Sequence, residues 1–179
     1  KEPVGFDTPG FDTAGWSAAA ENMVDEAYQT IPVSSKISQP IVCIKELTPQ
    51  TVSSPAEAVS VYDFGQNFAG TCRIRVKGEK GQVLTLRYGE HLNTENLLNK
   101  DDLPGTVFTE NLLTADATDY YVLEGDPEGE TFVPEFTYHG FRYLQIEGLK
   151  EPLPAENVQG LVLSSDLCET GSFSCSEPL

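Results

Sequence analysis

The sequence predicts an all-β chain built as an antiparallel β-sandwich. Short runs of period-two hydrophobicity recur from about residue 57 onward, clusters of turn residues separate them at hairpin spacing, and no convincing long amphipathic helix interrupts them. About eight such runs, each half apolar and half polar, bury one face apiece against a partner layer, and a sandwich satisfies that demand.

Taken in order, Val59-Ser60-Val61-Tyr62-Asp63-Phe64 is the first expected strand. Cys72-Arg73-Ile74-Arg75-Val76-Lys77 alternates apolar and basic residues, as a half-buried strand does. Gly78-Glu79-Lys80-Gly81 then forms a tight turn, with Val83 to Tyr88 returning as the expected hairpin partner. A polar stretch from Gly89 to about Asp116 has little β-pattern, and a loop of that length in a compact domain is functional, interface-forming or mobile. Strands are expected again at Thr118–Leu123, Thr131–Thr137, Phe141–Glu147, Val158–Ser164 and Ser172–Cys175, with Gly125 to Gly129 turning between the first two. Ala18 to Tyr28 is the one candidate for a short helix. Gly5 to Trp16 is rich in Gly, Asp and Phe, and Ile31 to Pro55 carries prolines, so residues 1–56 read as an extended segment followed by a linker, with the sandwich occupying 57–179.

Composition narrows the chemistry. The chain has 179 residues, 39% of them hydrophobic and 22% charged, which is a globular balance. Twenty-eight acidic side chains against eleven basic ones give a formal charge of −17. That field repels phosphate backbones and anionic membrane, leaving a neutral ligand such as a sugar unpenalised, or solubility as its whole role. No apolar run reaches the roughly 20 residues of a membrane helix, and no N-terminal apolar stretch resembles a signal peptide. Cys43, Cys72, Cys168 and Cys175 show no C-x-x-C spacing and only two His are available, so no metal site is expected. Cys72 reads as a small buried hydrophobe, while pairing of Cys168 with Cys175 stays open.

No glycine-rich phosphate cradle, nucleophile elbow or H-E-x-x-H helix is present, and no cofactor is expected. A glycosidase needs two carboxylates held roughly 5–10 Å apart across a cleft, and spacing along a sandwich does not reveal which acids meet. Two constellations stand out. In the first, Tyr62 to Gly70, Gln66 and Asn67 offer amides that either hydrogen-bond sugar hydroxyls or tie down a polar corner. In the second, Phe136 to Tyr143, the aromatics with Tyr138, His139 and Arg142 either form a stacking platform for a sugar ring or fill the core while His139-Gly140 turns a hairpin.

These motifs carry a resemblance. In order the chain has Tyr62-Asp-Phe-Gly-Gln-Asn-Phe-Ala-Gly70, Leu86-Arg-Tyr-Gly-Glu90, Thr109-Glu-Asn-Leu112, Ala117-Thr-Asp-Tyr120, Phe136-Thr-Tyr-His-Gly-Phe-Arg-Tyr143, and Ser165-Asp-Leu167 with Gly171-Ser-Phe-Ser-Cys-Ser176. The series resembles the concanavalin-like, jelly-roll-type β-sandwich domain of bacterial α-L-rhamnosidases, glycoside hydrolase family 78, over roughly residues 57–179. Phe11-Asp-Thr-Ala-Gly-Trp16 is similar to a signature of the family's N-terminal β domain, of which residues 1–56 would be a remnant. The resemblance implies that the inverting carboxylates lie in an (α/α)6 barrel that follows the Gly-Ser-Phe-x-Cys-Ser motif, so this fragment carries no catalytic residue. It further implies an accessory role toward that barrel in the same parent chain, with Thr109, Glu110 and Asn111 on the loop that packs against it. A neutral plant glycan is the other partner implied, and a bacterial periplasmic or extracellular location goes with it.

Overall fold

The period-two runs become strands, and the computed structural model describes residues 3, 5–20, 31–94 and 103–176. The chain divides into two compact units, 1–38 and 39–179. In the first, Phe11 and Trp16 meet edge to face at 5.8 Å, and the Asp12 carboxylate accepts from the Ala14 N–H at 2.9 Å, closing an Asx turn. Of the helix expected at Ala18–Tyr28, residues 21–30 lie outside the described residues, and 18–20 are not helical.

The second unit holds β1 (Ile41–Leu47), β2 (Thr51–Ala56), β3 (Val59–Val76), β4 (Val83–Gly89), β5 (Thr118–Val122), β6 (Glu130–Phe132), β7 (His139–Glu147) and β8 (Val158–Ser165). All pairings among them are antiparallel. They form a single curled sheet ordered β1-β8-β3-β7-β4-β5, with β2 and β6 also paired to β3. The 18-residue β3 is the spine. Its first part lies between β2 and β7, and its second part pairs β8 and then β6. Tyr62, Phe64, Phe68, Cys72, Ile74 and Val76 of β3 enter one core with Leu84, Leu86 and Tyr88 of β4 and Phe141, Leu144 and Ile146 of β7.

Several local expectations are corrected. Residues 41–56, read from their prolines as linker, supply β1 and β2. Pro55 is tolerated because β2 pairs only with β3 and its register shifts between Ser53 and Ala56, where a missing N–H costs little. The Cys72–Lys77 strand and Val83–Tyr88 are not a hairpin, since β4 pairs with β5 and β7. Their inward faces meet across the core instead, with Cys72 Sγ 3.2 Å from Tyr88 Oη, so the 78–81 turn carries the chain from one layer to the other. Gly125–Gly129 does the same between β5 and β6, and the strand expected at Thr131–Thr137 contracts to Glu130–Phe132. His139 and Gly140 open β7 instead of turning a hairpin, pairing with Gly70 and Ala69. Residues 172–175 form no strand and are exposed.

The long loop folds back on its own sheet. Residues 95–102 lie outside the described residues, but the flanks zip together through a Leu92–Val107 bridge, Asn93 N–H to Thr106 O at 2.8 Å and Phe108 N–H to His91 O at 2.9 Å. Val107 is buried, and its N–H donates to Oε1 of Gln145, itself buried on β7, at 2.8 Å. Gln145→Leu keeps the volume and leaves that amide unpartnered, so it is expected to cost about 1–3 kcal/mol. Hydrogen exchange at the Val107 amide should accelerate, and unchanged protection would show that the bond does not hold the loop.

Candidate functional site

Between Asp63 and Phe68 the β3–β7 register breaks: Asp63 pairs with Tyr143 and Phe68 with Phe141, so β3 spends five residue steps against two on β7. The excess bulges out as Phe64-Gly65-Gln66-Asn67. Gly65 supplies the turn at φ +76°, a value side chains disfavour. Its N–H donates to Asp63 Oδ1 at 2.7 Å. The same carboxylate receives Nε and Nη2 of Arg142, each at 2.8 Å, in a fork that fits both oxygens. Arg142 therefore ties the corner together, and its guanidinium also lies 5.0 Å from the Tyr143 ring centroid.

The other motifs join at the same end of the sandwich. Asn67 Nδ2 donates to Glu90 Oε1 at 2.6 Å. His139 Nε2 lies 3.1 Å from Asp119 Oδ2 and its ring stacks on Tyr88 at 4.1 Å. Gln66 is exposed and accepts from Lys45 Nζ at 3.4 Å. Thus Asn67, His139 and Arg142 are each held by an acid from another motif. Sequence reasoning missed those acids, Asp63, Glu90 and Asp119, although all three lie inside motifs it quoted. Membership of a motif was the available signal, but twenty-eight acids hid the choice.

Two groups stand apart. Tyr138 is exposed, as is Phe136, whose φ of +61° is a strained value for an aromatic residue. Thr109, Glu110 and Asn111 begin a 3-10 turn, Glu110–Leu112, with no side-chain hydrogen bond to the corner among the described residues. With Arg87, Thr109 borders two shallow depressions of about 210 and 280 Å³.

The electrostatics describe a clamp. The bonds from Arg142 hold the Asp63 carboxyl below its ordinary value of 3.8, against the opposing effect of burial. Burial pushes the Cys72 thiol up to about 12, which leaves it protonated and unreactive at neutral pH. Among the described residues no three His, Cys, Asp or Glu side chains group as metal ligands.

The Asp63 shift has a signed consequence. A depressed folded-state value adds stability that is complete above the unfolded value and is lost as pH falls through the folded one. Asp63→Asn is therefore expected to lose roughly 1–2 kcal/mol at neutral pH, moderated by solvent around the pair. The gap in melting temperature from the parent should close as the pH is taken from about 6 to about 2. A gap that stays constant with pH would assign the loss to packing.

The chain matches a family described as the bacterial alpha-L-rhamnosidase concanavalin-like domain over residues 53–164. An alpha-L-rhamnosidase of Streptomyces avermitilis is 36% identical over 181 aligned residues, taking in 100% of this chain and 16% of its own length. One from Formosa agariphila is 35% identical, covering 94% and 17%. The chain thus spans about a sixth of the length of these relatives. Among solved structures, the α-L-rhamnosidase of Dictyoglomus thermophilum superposes with a TM-score of 0.78 at 34% identity, over 99% of this chain and 19% of that one. The Streptomyces avermitilis enzyme, solved with L-rhamnose, gives 0.72 at 37%, over 93% and 15%. With that match covering most of the sheet, the chain belongs to the bacterial α-L-rhamnosidase family, as its concanavalin-like β-sandwich domain.

Proposed function

We propose that this sandwich is a non-catalytic accessory domain of an α-L-rhamnosidase, supporting and positioning an (α/α)6 catalytic domain in the same parent chain. The parent would be an inverting glycoside hydrolase that removes terminal α-L-rhamnose from glycans, outside the cytoplasm of a bacterium. Residues 1–38 would be the tail of an upstream β domain. One observation carries this reading: Asp63, Glu90 and Asp119 at the motif-bearing end are each spent on a partner from another motif, Arg142, Asn67 and His139. General acid and base work needs a carboxylate facing substrate, whereas interlocked pairs build a rigid end for a neighbour to rest on. On this reading Thr109, Glu110 and Asn111, with the exposed Leu113, face that neighbour.

The chain alone is expected to release no p-nitrophenol from p-nitrophenyl α-L-rhamnoside; turnover abolished by Asp63→Asn or Glu90→Gln would refute the accessory reading. In the parent enzyme, deleting 103–116 should raise KM or lower the melting temperature, and unchanged kinetics and melting would refute the positioning role. A second reading, a carbohydrate-binding module for a neutral rhamnose-containing glycan, draws on Phe136 and Tyr138, exposed at the end that bears Gln66 and Asn67. Calorimetry with rhamnose and rhamnose-containing glycans decides it, since saturable heat lost in Tyr138→Ala would favour it and flat titrations would remove it.

A further inference from the structure

Four strands have a free side among the described residues: β1, β2, β5 and β6 each pair with one neighbour. Unpaired edges invite other chains, and sheets guard them with prolines, lysines, bulges or shortness. Three of the four are guarded. β1 carries Lys45 and a register break after Cys43, β2 carries Pro55 and a break after Ser53, and β6 is three residues long. β5 has none of these devices. Its five residues pair with β4 in unbroken register and include no Pro, Lys or Gly. Its one charged residue, Asp119, is engaged with His139.

The phase of the ladder sets which groups this edge offers. Leu123 N–H donates to Gln82 O and Tyr88 N–H to Ala117 O, each at 2.9 Å, so 82/123 and 88/117 are hydrogen-bonded pairs. Counting inward, 84/121 and 86/119 share that role, and Thr118, Tyr120 and Val122 fall at the alternate pairs. Their three N–H and three C=O groups therefore point away from β4, and they have no backbone partner among the described residues. Apolar side chains stand beside them, Tyr120 63% and Val122 51% exposed, with Val83 50% exposed directly across from Val122. A row of free backbone groups bordered by an apolar strip is what an added strand uses.

Charge selects the occupant. Asp116 and Glu124 stand exposed beyond the two ends of β5. A second copy added antiparallel about Tyr120 would set Asp116 against Glu124 twice, between chains each at −17. A segment with a basic residue at each end meets both acids instead. Its source follows from its size, since so short an edge binds weakly in trans and suffices once tethering raises the effective concentration. We propose that β5 receives, as an added strand, an extended segment of the parent chain from outside residues 1–179, apolar at alternate positions and ended by Lys or Arg. The inference rests on the accessory reading, in which this chain is one part of a protein as long as its relatives, of which it spans about a sixth.

The probe is a blocked peptide of alternating Val and Thr with Lys at each end, titrated into the full chain and followed by backbone amide shifts. Saturable shifts confined to 83–87 and 116–124 are expected, with Kd of about 0.3–3 mM, and hydrogen exchange at the Tyr120 and Val122 amides should slow. Glu in place of Lys at both ends should weaken binding about tenfold, a difference that shrinks as NaCl rises from about 20 to 200 mM. Tyr120→Pro removes an N–H that β4 does not use and should abolish binding. N-methylation of the peptide at the residues facing β5 should do the same without altering the chain. In the parent enzyme the two amides should already be protected and the peptide should not bind. Equal binding to parent and fragment, no saturation by about 10 mM, equal affinity for Lys- and Glu-ended peptides, shifts at 41–47 instead, or dimers of the chain that protect the same amides would each overturn the proposal. Turnover of p-nitrophenyl α-L-rhamnoside by the chain alone would sink the accessory reading while leaving these amide signals unmoved, so the two failures are distinguishable.

Discussion

Gly70→Ala is expected to destabilise the sandwich by about 3 kcal/mol or more, lowering its melting temperature by roughly 6–12 °C. Gly70 is flanked on both sides of β3, by His139 of β7 and by Val162 of β8. A Cβ there would fall inside the envelope of the Leu161 carbonyl oxygen, close to the Phe68 ring as well. The first obstacle is backbone and cannot swing aside, so relief requires parting β3 from β8 where the sheet continues toward β1. Gly140→Ala is the matched control. It lies on the adjacent strand opposite Ala69, and its Cβ would meet nothing within 4 Å. Its effect should stay within about 0.5 kcal/mol. Thermal or urea unfolding of both variants checks the contrast, and similar losses at the two sites would show that strand flexibility, not space, sets the cost.

Phe141→Ala should be of the same order, about 3–5 kcal/mol. The Phe141 ring is buried, with centroids 4.4 Å from Phe68, 4.9 Å from Tyr88 and 5.8 Å from Phe64. Truncation opens a void among three aromatics whose backbones are pinned on β3 and β4, so little collapse can refill it. Phe141→Leu, retaining most of the volume, should recover well over half of the loss. Equal destabilisation by the two variants would mean that edge-to-face ring geometry outweighs filled volume here.

The legible parts of this fold were those with local cause. Alternation marked Val59–Phe64, Cys72–Val76 and Val83–Tyr88 as strands because each buries one face. Their partners were not legible, since a glycine-bearing turn such as 78–81 reads alike whether the chain returns beside itself or passes to the opposite layer. The decision rests on Cys72 meeting Tyr88 through the core, which is a long-range fact. The strands β1 and β2 stayed hidden because edge strands tolerate the proline and polar residues that suggest a linker. At the candidate site the residue types were visible and the pairings were not. Arg142 lies 79 positions from Asp63 and Asn67 lies 23 from Glu90, separations at which spacing carries no geometry.

The order of the strands has a consequence for synthesis on the ribosome. The strand β8 is the last to be made, yet it lies between β1 and β3, so β1 finds its neighbour only when residues 158–165 emerge, roughly 120 positions later. At about 5–20 residues per second that interval lasts roughly 6–25 s. Through it β1 waits as an open edge, and β3 carries β2, β7 and β6 while one flank is bare. The sandwich is therefore sealed by its C-terminal strand, and a nascent chain halted before Val158 exposes an edge ready to pair with another chain.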